Sequence, residues 1–218
     1  MKSTETMSNF QKLIVALCFV LNFNDGIDIM LVSFSSPEIM AEWDLSKTQM
    51  GSIFSAALAG MTLGCFLIAP LADRIGRRKT FFLSLGLEII GMLGIAFCES
   101  YPLLLFLRFL TGLGIGGLLP TMAATAAEFS TEKYRSFNVG LVQAGWPVGA
   151  ILTGLFSAQY IPLYGWRSAF FIAAFISVLM LLLVLFILTD SIAFLSQTRP
   201  PYALEKINRI RAKMQLAA

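Results

Sequence analysis

The sequence contains no histidine, only three cysteines, and few charges: 13% of its 218 residues are Asp, Glu, Lys or Arg. A soluble domain usually carries about 25%. Without histidine, any proton carrier must be a carboxylate. Cys18, Cys65 and Cys98 have neither disulfide-framework nor metal-ligand spacing and read as small apolar fillers. No serine–base pairing and no metal-ligand cluster stands out, so enzyme chemistry, cofactors and metals are not expected.

What the chain has instead is oil. Hydrophobic residues make up 57% and the mean hydropathy is +0.77. A helix needs about 20 apolar residues to cross about 30 Å of hydrocarbon. Windows of that length predict six spans, over 11–34, 49–72, 80–98, 101–127, 137–161 and 168–188. The first is too long for a secretory signal and contains Asp25 and Asp28.

The connecting stretches sort by charge. Lys2, Lys12, the 74–79 cluster, Lys133, Arg135, Arg199, Lys206, Arg209, Arg211 and Lys213 fall on one side, against Lys47 and Arg167 on the other. Basic residues stay in the cytoplasm, so both termini are expected there, in a multi-pass chain of the inner (plasma) membrane. The net charge of +3 then reflects topology and anionic lipid, not nucleic acid. Small residues four apart recur: Ala56, Gly60 and Gly64, then Gly112 and Gly116, then Ala150 and Gly154. Such spacing lets helix backbones approach closely.

"LADRIGRRKT", 71–80, gathers an aspartate and four basic residues between two apolar runs. Gly76 permits a tight turn there. The second span ends "APLADRIGRR" and the fifth "IPLYGWRS", which suggests three spans repeated with inverted topology. The resulting division is 1–98 and 99–188 for the two repeats, with 189–218 as a connector.

"GCFLIAPLADRIGRRKT" closely resembles the loop signature of the major facilitator superfamily, "RFLTGLGIGG" its fourth-span motif, and "EFSTEKYRS" its acidic-to-arginine pattern. The resemblance implies an all-α integral membrane fold, six helices as a 3+3 inverted repeat, and a carrier working by alternating access. It implies a cytoplasmic gate of Asp73, Arg74, Gly76, Arg77 and Arg78, with Glu128 and Arg135 as partners. The fifth span reads "AGWPVGA", with Trp146 before Pro147, unlike the family's antiporter pattern, which turns the expectation toward symport or uniport.

Asp25, Asp28, Glu88 and Arg108 lie inside spans, where each costs at least about 2.5–3.5 kcal/mol unless paired or hydrated. Asp28 and Arg108 lie at matching depths, about 9 Å from the same membrane face. Asp25 and Asp28 share a helix face. Two neighbouring carboxylates repel, which favours protonation, while an arginine favours ionisation; that competition suits proton coupling. "NDGIDIMLVSF", "YIPLYGWRSAFF" and "FLSQTRPPYALEKINRIRAK" resemble the aromatic acid:proton symporter family, which carries benzoate-like anions with protons. That family usually ends its sixth span in Pro-Glu-Ser, where this chain has Thr189, Asp190 and Ser191.

Asn22, Asn24, Gln143 and Trp146 are candidates for cavity lining, and each is equally a packing or hydrogen-bonding residue. Glu88 has no family role; a protonated or internally bonded carboxyl is the expectation. In the tail, Leu204, Ile207, Ile210 and Met214 follow helical spacing beside a basic face, as in an interfacial helix on the cytoplasmic leaflet. The superfamily has two six-span halves. The chain therefore reads as an amino-terminal half whose partners are a small organic anion, protons, lipid and a carboxy-terminal half. The competing reading is a truncated, non-transporting protein or a half-subunit that pairs with a second membrane chain.

Overall fold

The computed structural model describes residues 6–198 and 202–214, which leaves Lys2 and Arg199 of the charge pattern outside the described residues. The described residues form helices with no strand. The long helices are α1 (Asn9–Trp43), α2 (Lys47–Leu67), α4 (Arg77–Ala96), α5 (Tyr101–Glu128), α6 (Arg135–Tyr164) and α7 (Trp166–Ile187). All six are long and apolar enough to span a membrane. The short helices are α3 (Leu71–Ile75), α8 (Ile192–Thr198) and α9 (Ala203–Lys213), with a 3₁₀ turn at Glu132–Tyr134.

Local chemistry sets the boundaries. Ser8 with Gln11, and Ser46 with Gln49, form reciprocal capping boxes that satisfy free N–H groups at the starts of α1 and α2. The predicted second span stops early, at Leu67, because Pro70 ends it and starts α3. The first runs on to Trp43, through Pro37, until Asp44 turns left-handed at φ 51°. The two stretches that look alike in sequence turn alike in space. Gly76 (φ 99°) joins α3 to α4 and Gly165 (φ 77°) joins α6 to α7, in a backbone region where other residues are strained.

The heaviest contacts are α2 on α5 and α1 on α6, which swap if the first three spans are exchanged with the last three. Both crossings are built on glycine. Gly60 and Gly64 lie against the backbone of Phe109 and Leu113, and Gly112 and Gly116 against Ala57 and Met61, with no space for a Cβ. In α1–α6 the close contacts belong to Gly26, Gly145 and Gly149. Gly154, expected at such a contact, meets the Phe34 ring instead.

Two apolar cores fill the bundle. One holds Ile14, Leu21, Phe81, Leu85, Leu118, Met122 and Val184; the other holds Leu31, Ile39, Met92, Ile95, Leu107 and Phe170. The first lies at the end that carries 73–79, here called the basic end. Large exposed apolar chains such as Phe66, Ile151, Leu155 and Phe186 cover the outside, as hydrocarbon contact requires. Helix α9 lays its apolar face on the bundle. Ile207, Ile210 and Met214 are buried in the basic-end core and only Leu204 points away, because the bundle offers them a deeper apolar seat.

Candidate functional site

Between the two cores, α1, α4, α5 and α7 change from apolar to polar. On α1 the polar residues are Asn22, Asn24, Asp25 and Asp28, on α4 Glu88, on α5 Arg108 and Thr111, and on α7 Ser177. These side chains are at most 1% exposed. The result is a mid-depth polar layer sealed above and below by hydrocarbon.

Its hydrogen bonds are specific. Glu88 Oε1 accepts from Asn24 Nδ2 at 2.7 Å and from Ser177 Oγ at 3.1 Å. Asn24 Nδ2 also reaches Ser177 Oγ at 2.9 Å, so α1, α4 and α7 are tied at one point. Glu88 Oε2 and both Asp28 carboxyl oxygens have no hydrogen-bond partner among the described residues. Arg108 Nη1 donates to the backbone carbonyl of Asp28 at 3.5 Å, and its Nε has no partner among the described residues. The matching depths of Asp28 and Arg108 are thus realised as direct contact. No ion pair joins Arg108 to a carboxylate among the described residues. Neither Asp25 oxygen meets a donor there.

Asn22, Gln143 and Trp146 come together as expected on the residues. With Ile29, Leu58, Met61, Leu119 and Pro147 they line a groove of about 370 Å³ on one side of α1, α2, α5 and α6. Asn22 Nδ2 donates to the Val142 carbonyl at 2.7 Å and to Gln143 Oε1 at 3.2 Å, which fixes the α1–α6 register at the groove floor. Asp25 lies one helical step behind that floor, three residues after Asn22 and four before Ile29.

The basic end holds a second constellation. Arg77 Nη2 bridges Asp73 Oδ1 at 3.0 Å and Glu128 Oε1 at 2.6 Å. The backbone N–H of Arg78 donates to Asp190 Oδ1 at 3.3 Å, and its Nη2 donates to the Leu185 carbonyl at 2.7 Å. Asp190 also crowds Gly76, where a Cβ would meet its Oδ1 at 2.6 Å. Five of the expected residues therefore meet: Asp73, Gly76, Arg77, Arg78 and Glu128. Arg74 and Arg135 are exposed, with no ion pair among the described residues.

Sequence reasoning gave no function to Asp190, Ser177 or Glu42. Asp190 was visible only as a departure from Pro-Glu-Ser; an acid at that position, beside the N-terminus of α4, was the available signal. At the opposite end Glu42 accepts from Trp166 Nε1 at 2.8 Å and pairs with Arg167, whose guanidinium stacks over Trp166 at 4.3 Å. That clasp ties the end of α1 to the start of α7.

A glycine-crossed bundle of six helices, each long and apolar enough to span a membrane, defines a multi-pass membrane protein. The profile of the Major Facilitator Superfamily matches residues 18–211, and the chain belongs to that family of transporters, which are not enzymes. It is 34% identical over 191 residues to the 4-hydroxybenzoate transporter PcaK of Acinetobacter baylyi, a match covering 87% of this chain and 41% of that protein. It is 31% identical over 192 residues to a gallate transporter of Pseudomonas putida, covering 88% and 43%. The proton:xylose symporter XylE bound to 6-bromo-6-deoxy-D-glucose superposes with a TM-score of 0.82 at 20% identity, over 95% of this chain and 50% of that one; this likeness concerns the fold. The chain spans about half the length of the relatives it matches. It is a multi-pass membrane protein.

Proposed function

We propose that the chain is the amino-terminal half of a proton-coupled symporter that carries a small aromatic acid by alternating access across the inner membrane, with both termini cytoplasmic. The repeats are 1–98 and 99–188, and 189–218 connects to the second half. Asp25, Asp28 and Arg108 form the coupling site. The observation that carries this is Arg108: a buried guanidinium among buried carboxyls that, among the described residues, bonds only to a backbone oxygen and has Nε to spare. Such a group can exchange partners, where a bidentate ion pair could not.

In this reading the substrate enters the groove lined by Asn22, Gln143 and Trp146, whose indole offers a face to an aromatic ring. Protonation of an aspartate releases Arg108 from its field, and the guanidinium then holds the substrate carboxylate. Binding of proton and anion is mutually favourable for that reason. The Asp73, Arg74, Gly76, Arg77, Arg78, Glu128 and Arg135 group acts as the cytoplasmic gate. Its Arg77 bridge needs to shift an equilibrium of only a few kcal/mol. Transport of aromatic acids by the relatives supports the substrate class.

The test completes the carrier with a carboxy-terminal half and follows uptake of 4-hydroxybenzoate under an imposed pH gradient. Asp28→Asn is expected to lose accumulation far more than counterflow exchange. If Asp25→Asn and Asp28→Asn both accumulate like the parent, the trio is structural. The half-length match favours one second reading, a half-subunit that works only with a separate membrane chain, or a truncated form that does not transport. Uptake by the 218-residue chain alone counts against both.

A further inference from the structure

The segment of α1 that carries the two aspartates is held from both sides. Asn22 Nδ2 donates to the Val142 carbonyl of α6 at 2.7 Å and to Gln143 Oε1 at 3.2 Å. Two residues on, Asn24 Nδ2 donates to Glu88 Oε1 of α4 at 2.7 Å and to Ser177 Oγ of α7 at 2.9 Å. A side-chain amide nitrogen has two hydrogens, and both of those on Asn24 are placed. Ser177 Oγ closes the triangle by donating to the same Glu88 oxygen at 3.1 Å. Just beyond, Gly26 lies against the α6 backbone at Trp146 and Ala150, with no room for a Cβ.

Helix geometry says what these holds fix. At about 100° per residue, Asn22 and Asn24 lie about 200° apart, on opposite sides of α1. A helix gripped from opposite sides within one turn resists rolling about its axis. On the same wheel Asp25 stands about 60° from Asn22, and Asp28 about 40° from Asn24. Each aspartate is therefore neighbour to one hold, and fixing the roll of α1 fixes the direction of both. It also keeps the Asp28 carbonyl at the Arg108 guanidinium, 3.5 Å away. The inner hold is costly to leave. Asn24, Glu88 and Ser177 are at most 1% exposed, so a freed donor would have no solvent to turn to.

We propose that Glu88, with Asn24 and Ser177, is a positioning clamp that sets the roll of α1 and so keeps proton and substrate movements coupled. Glu88 does not line the groove and acts through α1. What counts is its oxygen as an acceptor; a glutamine keeps that oxygen and a leucine does not. With the clamp open, α1 rolls and Asp28 swings away from Arg108. The aspartates then exchange protons whether or not substrate is bound. This role rests on the carrier reading; the clamp itself does not.

The clamp is read first in the isotope-labelled 218-residue chain in lipid nanodiscs, without substrate. The Asn24 side-chain amide hydrogens are expected at hydrogen-bonded NMR shifts in the parent and in Glu88→Gln, and displaced upfield in Glu88→Leu. Resonances that ignore Glu88→Leu overturn the clamp. The role is read in the completed carrier, at matched amounts of folded protein. Glu88→Leu should lower proton-driven accumulation of 4-hydroxybenzoate about tenfold, the worth of one buried hydrogen bond, while counterflow exchange stays within about twofold. Glu88→Gln should accumulate like the parent. Ser177→Ala, which leaves Asn24 bonded to Glu88, should fall between.

Equal loss of accumulation and exchange in Glu88→Leu marks a residue needed only for structure and overturns the role. So does a Glu88→Gln that fails as Glu88→Leu does, because the charge and not the acceptor would then matter. If Glu88→Leu does not fold, Ser177→Ala decides, and parent-like accumulation overturns the proposal. A parent that takes up no aromatic acid counts against the carrier reading, while the amide resonances still decide the clamp.

Discussion

The mid-depth layer and the basic end are made from the same materials, arginines and carboxylates, and use them in opposite ways. At the basic end Arg77 satisfies Asp73 and Glu128 at once, with Asp73 70% exposed. In the layer Arg108 is 1% exposed and its one side-chain hydrogen bond among the described residues goes to a carbonyl at 3.5 Å, while three carboxyls are buried in the same layer. Near water, charges complete their pairs because solvation lowers the cost of bringing them together, and each pair contributes little. Away from water, an incomplete set is expensive, so it persists only if the fold holds it there. The contrast separates a latch, whose partners are filled, from a site with a spare valence.

The sharpest way to break this contrast is Arg108→Met. It leaves buried acids with no cation and should destabilise the chain by about 3–5 kcal/mol, read from thermal unfolding in detergent. Adding Asp28→Asn should recover part of the loss. Full additivity of the two changes would mean the arginine and the aspartate do not interact. Arg77→Met comes next, at about 2 kcal/mol from the lost charged hydrogen bonds. Molar salt should shrink the Arg77 effect and leave that of Arg108 unaltered, because screening reaches only charges near water.

Asp190→Ala removes the acceptor for the Arg78 N–H and should cost about 1 kcal/mol. Hydrogen exchange at the first amides of α4 should speed up accordingly. Asp73→Asn should scarcely change stability, its side chain being mostly in water. Its expected effect is on the inward- and outward-open populations of the completed carrier, seen as altered spin-label distances across the basic end. Unchanged distances would make the loop a topology anchor.

The six spans were legible because membrane length and hydropathy act on local sequence. Their ends were less so: α1 continues nine residues beyond the predicted boundary at 34, since a helix does not stop where hydrocarbon does. Asp25, Asp28 and Arg108 announced themselves as charges in apolar runs, and depth alone put Asp28 level with Arg108, whose guanidinium reaches the Asp28 carbonyl. Glu88 was equally visible, but its partners are 64 and 89 positions away, on helices whose relative rotation is decided by packing. The same holds for the glycine faces. Spacing pointed to Ala150 and Gly154 on α6; Ala150 does lie against Gly26, but Gly154 does not share the contact, which uses Gly145 and Gly149 instead, because several four-residue ladders coexist on one small-residue helix.

The two glycine crossings have a mechanical meaning. With backbone against backbone in α2–α5 and in α1–α6, there is no layer of flexible side chains to shear or compress. Neither a lipid tail nor water can wedge between the partners. The crossings therefore resist sliding, and each crossed pair is stiff. Bending is left to the turns at Gly76 and Gly165, which sit outside both crossings.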